Sequence, residues 1–331
     1  MTRRKTQPGA LFSGEELLHA YRTMRTIRVF ETRIGQEFEK GTIPGFTHLY
    51  SAQEAIATAV CMNLLDTDYI GSTHRGHGHS IAKGCDVKGM VAELMGKATG
   101  LCKGKGGSMH VADLSKGMLG ANGIVGGSAP LCVGAGLSAK TRGTRGVAVS
   151  FIGDGGSNEG VVFESMNLAV VLKLPVLFMY ENNGYGEATG VSYAVGSGDI
   201  AGRAGAFGMP AEKVDGTDFF AVYEAVQRAV ARGREGEGPS AIEAMTTRFG
   251  GHFVGDPQLY RVKGEIEKQR REMDCIPFFV NRVLKEKSVT RKALQDIDAE
   301  VESLIEESVE EALAAPYPGP EELYTDVYKT Y

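Results

Sequence analysis

The chain has 331 residues, of which 42% are hydrophobic, and its 36 Lys and Arg against 41 Asp and Glu give a formal net charge of −5. This length can bury a substantial core, the negative balance argues against a general nucleic-acid surface, and no apolar run reaches the roughly 18–20 residues that a membrane-spanning helix needs. The five cysteines are an odd number without a C-x-x-C pair, which indicates reduced thiols, so we expect a cytoplasmic protein that binds neither nucleic acid nor membrane.

The predicted elements begin with an arm and two helices. Residues 1–13 are interpreted as an arm that is disordered or bound by a partner, and they lack the apolar segment of a secretory signal. Ser13 is expected to cap a helix from Gly14 to Lys40, in which apolar residues recur at helical spacing. A second helix is predicted from Ala52 to Leu65.

Three histidines and an arginine follow the strand predicted at Tyr69–Thr73, in the segment His74–His79. Histidine clusters can bind metals, but this one has neither a helical i, i+4 pair nor neighbouring Cys or carboxylate ligands. Loop histidines bonded to the backbone are the structural alternative. Because an arginine offers a forked donor that matches phosphate oxygens, we favour an anion site in which Arg75 binds a phosphate.

The middle of the chain is rich in glycine. A helix is predicted over 88–98, a glycine-rich loop over Gly100–Gly127 and another helix over Ala129–Lys140. Many of the 45 glycines fall between Gly71 and Gly156. This distribution indicates backbone that approaches a ligand closely, with loose loops as the alternative.

Two short signatures are the most informative feature of the sequence: Gly-Asp-Gly around Asp154 and Asn-Asn ending at Asn183, 29 residues later. Each follows an apolar segment typical of a buried strand, and a helix is predicted between them from Glu159 to Lys173. In such a crossover unit both strands end at the same edge of the sheet, where ligands bind. Carboxylate and amide oxygens suit Mg²⁺, and the N–H groups of Gly155 and Gly156 suit an anion. Taken singly, each signature would be interpreted as a tight turn.

Beyond the second signature the sequence predicts a polar loop over Gly184–Gly198, a helix over 218–232 and a strand over Ser240–Thr246. A charged helical tail follows Gly264. Strands that alternate with helices predict an α/β fold with a mostly parallel sheet covered on both faces.

Patterns for nucleotide binding are weak. Neither Gly-Lys dipeptide is followed by the Ser or Thr that a Walker-type loop requires. Gly196–Ala201 matches a relaxed dinucleotide fingerprint but does not follow a clear strand, so we interpret it as a chance match. From the residues alone, Mg²⁺-dependent phosphoryl transfer and a non-catalytic ligand-binding subunit stay open as alternatives.

The paired signatures resemble the thiamine diphosphate motif, in which Mg²⁺ holds the diphosphate. Over nearly its whole length the chain also resembles the α chains of the heteromeric thiamine-dependent 2-oxo acid dehydrogenase family. The segments that carry this resemblance are Phe46–Tyr50, Gln53–Ala55, Gly104–His110, Gly123–Gly126 and Glu181–Gly186. Two more segments, Ser72–His79 and Gly251–Asp256, are most similar to acetoin-cleaving members of the family.

The resemblance implies a thiamine diphosphate-binding fold, which is a three-layer α/β sandwich with a mostly parallel central sheet and helical extensions at both ends. On this basis we divide the chain into three parts. Residues 1–45 form the N-terminal arm and helix, 46–262 the α/β domain that binds diphosphate and Mg²⁺, and 263–331 a helical C-terminal extension that contacts partner chains.

The resemblance also implies which residues bind the cofactor. Asp154, the side chain of Asn183 and the carbonyl of Tyr185 would be Mg²⁺ ligands, and Arg75 and His252 would contact the diphosphate. The remaining cofactor contacts would come from His74, Gly123, Ile124, Val125, Gly155 and Gly156.

Histidines are the expected proton carriers near the thiazolium. His48 and His252 are the first candidates and His77 is a third, because neutral imidazole both donates and accepts near pH 7. His74 stands where the wider family has a Tyr, and Phe253 stands where eukaryotic pyruvate enzymes carry a phosphorylatable Ser. That inhibitory switch should therefore be missing here.

The resemblance further implies the reaction and the partners. Acetoin would be cleaved to acetaldehyde and a hydroxyethyl-thiamine intermediate, and the acetyl group would pass to lipoamide or a dye acceptor. The alternative is a pyruvate dehydrogenase α subunit that decarboxylates pyruvate or another 2-oxo acid. The Glu that activates thiamine would come from a β subunit in an α2β2 heterotetramer, and a lipoyl-bearing acyltransferase would accept the product.

Overall fold

The computed structural model describes residues 12–328, in which eight strands and twelve α-helices alternate along the chain. The strands are β1 (Tyr69–Gly71), β2 (Met118–Gly120), β3 (Ala148–Gly153), β4 (Val176–Asn182), β5 (Tyr185–Gly186), β6 (Thr189–Gly190), β7 (Ala211–Asp215) and β8 (Ser240–Met245). The helices are α1 (Gly14–Glu39), α2 (Glu54–Cys61), α3 (His77–Lys83), α4 (Val87–Leu94), α5 (Ser128–Thr141), α6 (Gly160–Val171), α7 (Val191–Ala194), α8 (Ile200–Gly205), α9 (Phe219–Arg234), α10 (Glu265–Glu272), α11 (Cys275–Lys285) and α12 (Arg291–Ala314). The predicted arm over 1–13 lies, except for its last two residues, outside the described residues.

Six strands form one sheet in the order β2-β1-β3-β4-β8-β7, and every neighbouring pair in it is parallel. β3 is paired with β4 along its whole length, from Ala148 opposite Val176 to Gly153 opposite Glu181. β8 pairs with β4 up to Met245 opposite Asn182. The segments that follow β3, β4 and β8 therefore leave the sheet at one edge, as the crossover argument predicted.

The sheet is covered on both faces, which gives three layers. In β3, Val149 and Phe151 are buried in a core with α1, α2 and α9, whereas Ala148 and Ile152 are buried in a second core with α5 and α6. Successive side chains of a strand point to opposite faces, so a strand buried on both faces is apolar throughout. The expected α/β fold with a mostly parallel sheet is confirmed.

Helix positions follow the sequence closely at some ends and not at others. The Ser13 hydroxyl accepts the N–H of Glu16, and the Glu16 carboxylate accepts the N–H of Ser13 at 2.7 Å, so a capping box starts α1 at the predicted residue. The helix predicted from Ala52 begins only at Glu54 because Ala52 has a left-handed φ of +88°. The helix predicted over 88–98 ends at Leu94, before Gly96 with its φ of +70°.

The C-terminal helices pack back onto the start of the chain. α12 lies against α1 and α4 through a buried stripe at helical spacing, Leu294, Ile297, Val301, Ile305 and Val309. The segment after α12 then crosses the glycine-rich loop, where Lys103 and Lys105 contact Glu322 and Asp326. Within residues 12–328, no helix combines the length and the apolar composition needed to cross a membrane.

Candidate functional site

A cavity of about 360 Å³ opens at the carboxyl edge of the sheet. Residues that follow β1, β3, β4 and β8 line it, together with the segment before α2 and the loop before α5. Every site residue predicted from the sequence lines this cavity except His77. The cavity thus brings together residues that are about 200 positions apart in the chain.

Two backbone turns form the floor of the cavity. Gly155 follows β3 and Gly186 lies in β5, and a Cβ added at Gly155 would stand 3.0 Å from the Gly186 Cα. Only glycine at both positions lets the two turns touch. This contact explains Gly155 of the first signature and Gly186 shortly after the second, and it brings Asp154 next to the turn that carries Asn183.

Asp154 is a buried carboxylate without a cationic partner among the described residues. Its oxygens accept the N–H groups of Gly155 and Gly184, each at 2.7 Å. Burial raises the pKa of Asp154, and these two N–H groups oppose the increase. The N–H of Gly155 is therefore engaged by Asp154, so the expectation that it faces an anion does not hold in this arrangement.

The Asn183 amide is oriented by a neighbour. Its Nδ2 donates to Gln53 Oε1 at 3.1 Å, which leaves Oδ1 for the cavity side, where it accepts only a long 3.4 Å bond from the Tyr185 N–H. A buried carboxylate, an amide oxygen and a nearby carbonyl form an oxygen set that suits a Mg²⁺ ion. The sequence did not assign this orienting role to Gln53.

Two buried arginines face the same cavity. Arg75 donates to the carbonyls of Leu49 at 2.6 Å and His252 at 2.8 Å. Arg248 donates to the carbonyl of Glu187 at 2.6 Å and to the Tyr260 hydroxyl at 2.7 Å. Within residues 12–328 neither guanidinium forms an ion pair with a carboxylate. Two buried cations without counter-ions indicate an anion site.

Burial lowers the pKa of both arginines, that of Arg75 to about 10, and Arg248 contributes to the decrease at Arg75. Arg248 was not among the site residues predicted from the sequence. The sequence did indicate its position, because an arginine shortly after the end of a parallel strand lies at the same sheet edge as Arg75.

Three histidines stand together at the cavity wall. The ring centroids of His48 lie 4.6 Å from His74 and 4.8 Å from His252, and those of His74 and His252 are 5.1 Å apart. Burial, followed by neighbouring positive charges, lowers their pKa values to about 2 for His48, 3 for His74 and 4 for His252. All three imidazoles are therefore neutral at pH 7, as donors or acceptors of protons should be before reaction.

The ligand atoms of these three rings lie within 4.8 Å of one another, a spacing that could hold a metal ion. The two arginines argue against that use, because their positive charges raise the cost of placing a divalent cation beside them. His48 Nδ1 is buried and has no hydrogen-bond partner in the part of the chain that the structure describes. An unpaired buried nitrogen at a cavity wall fits a ligand that supplies the missing bond.

His77 lies outside the cavity, which removes the geometric basis for its predicted catalytic role. The ring is fully buried, with Nδ1 donating to the Glu31 carboxylate at 3.1 Å and Nε2 2.9 Å from the Ser108 hydroxyl. Because α3 begins at His77, this side chain turns toward α1 rather than toward the sheet edge. His77 therefore connects α3 to α1 and to the glycine-rich loop.

Aliphatic side chains form the exposed rim. Ile124 is 73% and Val125 is 45% exposed, and the Asn122 side chain fixes their turn by accepting the Ile124 N–H at 2.8 Å. Large apolar residues held in an exposed turn at a cavity mark a surface that a ligand or partner covers.

The amino-acid sequence of the chain is similar to those of several known proteins. The sequence model of the dehydrogenase E1 component family matches residues 22–321. The chain is 53% identical to the alpha subunit of acetoin:2,6-dichlorophenolindophenol oxidoreductase of Cupriavidus necator, with both chains covered completely. It is 52% identical to the Bacillus subtilis subunit of that name, over 98% of this chain and 96% of the relative. Identity to the pyruvate dehydrogenase E1 component subunit alpha of Rhizobium meliloti is 41%, over 96% and 91% of the two chains.

Proposed function

The chain belongs to the dehydrogenase E1 component family, and we propose that it is the α subunit of an oxidoreductase that cleaves acetoin with thiamine diphosphate and Mg²⁺. The products would be acetaldehyde and a two-carbon unit that lipoamide takes up as an acetyl thioester while its disulfide is reduced. With a dye acceptor, the dye would take the two electrons and water would release the two-carbon unit as acetate. Identities of 53% and 52% to acetoin oxidoreductase subunits, against 41% to a pyruvate dehydrogenase subunit, favour acetoin over pyruvate.

The observation that carries the cofactor assignment is the opposite charge of two unpaired buried groups in one cavity. Asp154, with the Asn183 amide oxygen and the Tyr185 carbonyl, would hold Mg²⁺. Arg75, beside His74 and His252, would bind the diphosphate. A metal-bound diphosphate supplies a cation to Asp154 and an anion to Arg75 at the same time, so both unpaired charges are compensated by one ligand.

The chemistry that bound thiamine diphosphate supplies is a carbanion at its thiazolium, which cleaves the bond between the two oxygenated carbons of acetoin. The chain's own residues would position the cofactor and move protons. Gly123 and Val125 would hold the aminopyrimidine, and Ile124 would support the cofactor from below. His48, whose Nδ1 is unpartnered, would accept or donate the proton of a substrate hydroxyl.

The site needs a second chain. The relatives are named as alpha subunits, which supports a β partner, and we infer an α2β2 heterotetramer in which the β subunit supplies the Glu that activates thiamine. A lipoyl-bearing acyltransferase would receive the acetyl group. Residues 263–331 would form the helical extension that contacts partner chains.

The test is a direct comparison of substrates with the assembled complex. The chain is co-purified with its β subunit, loaded with thiamine diphosphate and Mg²⁺, and assayed with acetoin and with pyruvate, using 2,6-dichlorophenolindophenol as the acceptor. We expect kcat/KM for acetoin to exceed that for pyruvate by at least about 100-fold, since a site that leaves a substrate group unpaired loses 10²-fold or more. Faster turnover of pyruvate would overturn the acetoin assignment but not the cofactor assignment.

A further inference from the structure

Four residues form a closed hydrogen-bonded ring beside the cavity, through three side-chain contacts and one backbone N–H. Arg248 Nη2 donates to the Tyr260 hydroxyl at 2.7 Å, and that hydroxyl donates to Asp256 Oδ2 at 2.6 Å. The same Asp256 oxygen accepts the backbone N–H of His252 at 2.6 Å. The ring closes where Arg248 Nη1 lies 3.3 Å from His252 Nδ1. Each member is therefore held by two others.

The last of these contacts determines the tautomer of His252. A guanidinium has only donors, so Nδ1 must be the acceptor and carry no proton. In a neutral imidazole the proton then resides on Nε2. This nitrogen has no hydrogen-bond partner among the described residues, and the His252 side chain lines the cavity. The ring therefore presents an N–H donor, and not a lone pair, to whatever occupies the cavity.

His252 has little freedom to escape this arrangement. Its backbone carbonyl accepts Arg75 Nη2 at 2.8 Å, and its backbone N–H is held by Asp256. Arg248 is also fixed: it is 1% exposed, and its guanidinium lies 5.8 Å from the centre of the Tyr185 ring. The backbone of His252 and the guanidinium of Arg248 that contacts its ring are therefore held in place before a ligand binds.

We propose that Arg248 is a positioning residue for His252, which it fixes as a hydrogen-bond donor from Nε2 toward the bound cofactor or substrate. This inference rests on the proposed function, because that function gives the cavity an anionic cofactor and an oxygenated substrate, both of which accept hydrogen bonds. Arg248 itself acts through His252.

The charge of Arg248 has a second effect on the same ring. Protonation of His252 at Nδ1 would break the contact with Arg248 and place two cations side by side. The groups that face His252 are Arg248 and Asp256 on its own segment, with Tyr260 behind them, and its neighbours on other segments, His48, His74 and Arg75. Burial, then Arg75 and then Arg248 lower its pKa, while Asp256 raises it.

The pKa of His252 should rise when Arg248 is replaced by a neutral residue, because the replacement removes one of the charges that lower it. His252 is then protonated at a higher pH, and the acidic limb of the activity profile moves upward. We expect a move of about one pH unit, the usual effect of one neighbouring charge.

The experiment measures kcat/KM against pH for the α–β complex at saturating thiamine diphosphate and Mg²⁺, with Arg248→Gln and Arg248→Lys. Gln can donate to Nδ1 or accept from it, so the tautomer is no longer fixed, whereas Lys keeps the charge. We expect the acidic limb to move up by about one pH unit in R248Q and to stay in place in R248K. The control is Arg234→Gln, which removes a half-buried arginine that pairs with Asp68, neither of which lines the cavity.

A uniform loss of activity in R248Q with an unmoved acidic limb would overturn the inference, because a merely structural defect lowers activity at all pH values. If R248Q does not form a folded complex, the same pH profile of kcat/KM is measured for Tyr260→Phe. It removes the hydroxyl between Arg248 and Asp256, and an acidic limb identical to that of the wild type would contradict the ring. Failure of the proposed function would be seen separately, as wild-type activity that does not depend on thiamine diphosphate.

Discussion

Two histidines of the candidate set differ sharply in their surroundings, and the same substitution at each separates catalysis from stability. His48→Phe removes a ring whose Nδ1 has no partner, so few protein contacts are lost and a proton carrier disappears. We expect kcat to fall by about 10²–10⁴-fold, as for other general acid–base groups. His77→Phe leaves the buried Glu31 carboxylate and the Ser108 hydroxyl without a partner, at a cost of about 1–3 kcal/mol or more.

The measurements are kcat for acetoin with the α–β complex and the denaturant midpoint of unfolding for each variant. The expected pattern is an inactive but stable H48F protein and a destabilised H77F protein whose folded fraction keeps most of its kcat. A stable, inactive H77F protein would restore the predicted catalytic role of His77. A fully active H48F protein would remove His48 from the proton-transfer assignment.

Asp154 gives a test of the metal site that does not depend on turnover. Its two oxygens accept the N–H groups of Gly155 and Gly184, so Asp154→Asn turns an NH₂ group toward one of these donors and should cost about 1–3 kcal/mol of stability. The metal site is therefore tested by the stabilisation that ligand adds to each protein, not by the unfolding temperature without ligand. The wild-type complex should be stabilised by thiamine diphosphate with Mg²⁺, by about 2.7 kcal/mol at a ligand concentration of 100 Kd. The variant should lose this Mg²⁺-dependent stabilisation and also its activity.

Glu159→Gln serves as the control for Asp154→Asn, because Glu159 lines the same cavity but is exposed. For both variants, thermal unfolding is measured with and without the cofactor and Mg²⁺, and the rise in unfolding temperature on adding ligand is compared. Cofactor stabilisation that persists in D154N would contradict the ligand assignment. If D154N still binds the cofactor with Mg²⁺ but is inactive, Asp154 would act in catalysis and not as a metal ligand.

At the scale of elements, the glycine-rich loop before the cavity depends on one carboxylate of α4. Glu93 is fully buried, and its two oxygens accept four backbone N–H groups of the loop at 2.7–3.1 Å. The donors are Cys102, Gly104, Gly106 and Gly107. A carboxylate with several acceptor sites can satisfy this set, whereas an amide cannot.

Glu93→Gln should therefore destabilise the loop, because its NH₂ group faces donors and leaves buried N–H groups unpaired. We expect a loss of about 1–3 kcal/mol. In the variant, the backbone amides of residues 102–107 should exchange hydrogen faster than in the wild type, while the exchange rates of the core strand β3 should stay unchanged. Met109, which lines the cavity, lies two residues after Gly107 in the same loop, so KM should rise as well. Unchanged exchange in 102–107 would show that Glu93 does not hold the loop.

The elements also show what a sequence can predict. β3 and β4 are continuous apolar runs bounded by turn residues, so both strands and the helix between them were identified, and the topology then placed Asp154 beside Asn183. Helix ends were less certain, since the left-handed φ of Ala52 depends on the fold and not on its own identity.

Contacts between distant segments account for most of the site that the sequence did not predict. The bond from Arg248 to His252 depends on how a loop folds back, and the orientation of His77 depends on the packing of α1 against α3. The periodicity of apolar residues along the chain predicts neither the bond from Arg248 nor the orientation of His77. The resemblance to a family indicated His48 and His252, but it assigned no function to Gln53 or Arg248.

At the scale of the whole molecule, the cavity is one side of a site. Its rim carries exposed Ile124 and Val125, and three Glu side chains of this chain reach it, Glu159, Glu181 and Glu187. Glu181 is bound by the Tyr50 hydroxyl and lies 3.1 Å from His79 Nε2. A carboxylate that activates the cofactor must be free to bind it, which favours a Glu from the partner.

The last prediction follows from this incomplete site: the isolated chain should turn over neither acetoin nor pyruvate, even with saturating thiamine diphosphate and Mg²⁺. Adding the β subunit should restore dye reduction in proportion to the α–β complex formed, as measured by size-exclusion chromatography. Glu159→Gln and Glu187→Gln should both stay active in that complex. An inactive variant would identify the activating group within this chain, and activity of the chain alone would show that no partner Glu is needed. Because activation removes a proton that free thiamine loses slowly, the difference between the isolated chain and the complex should be at least about 10²-fold, the usual contribution of one positioned acid or base.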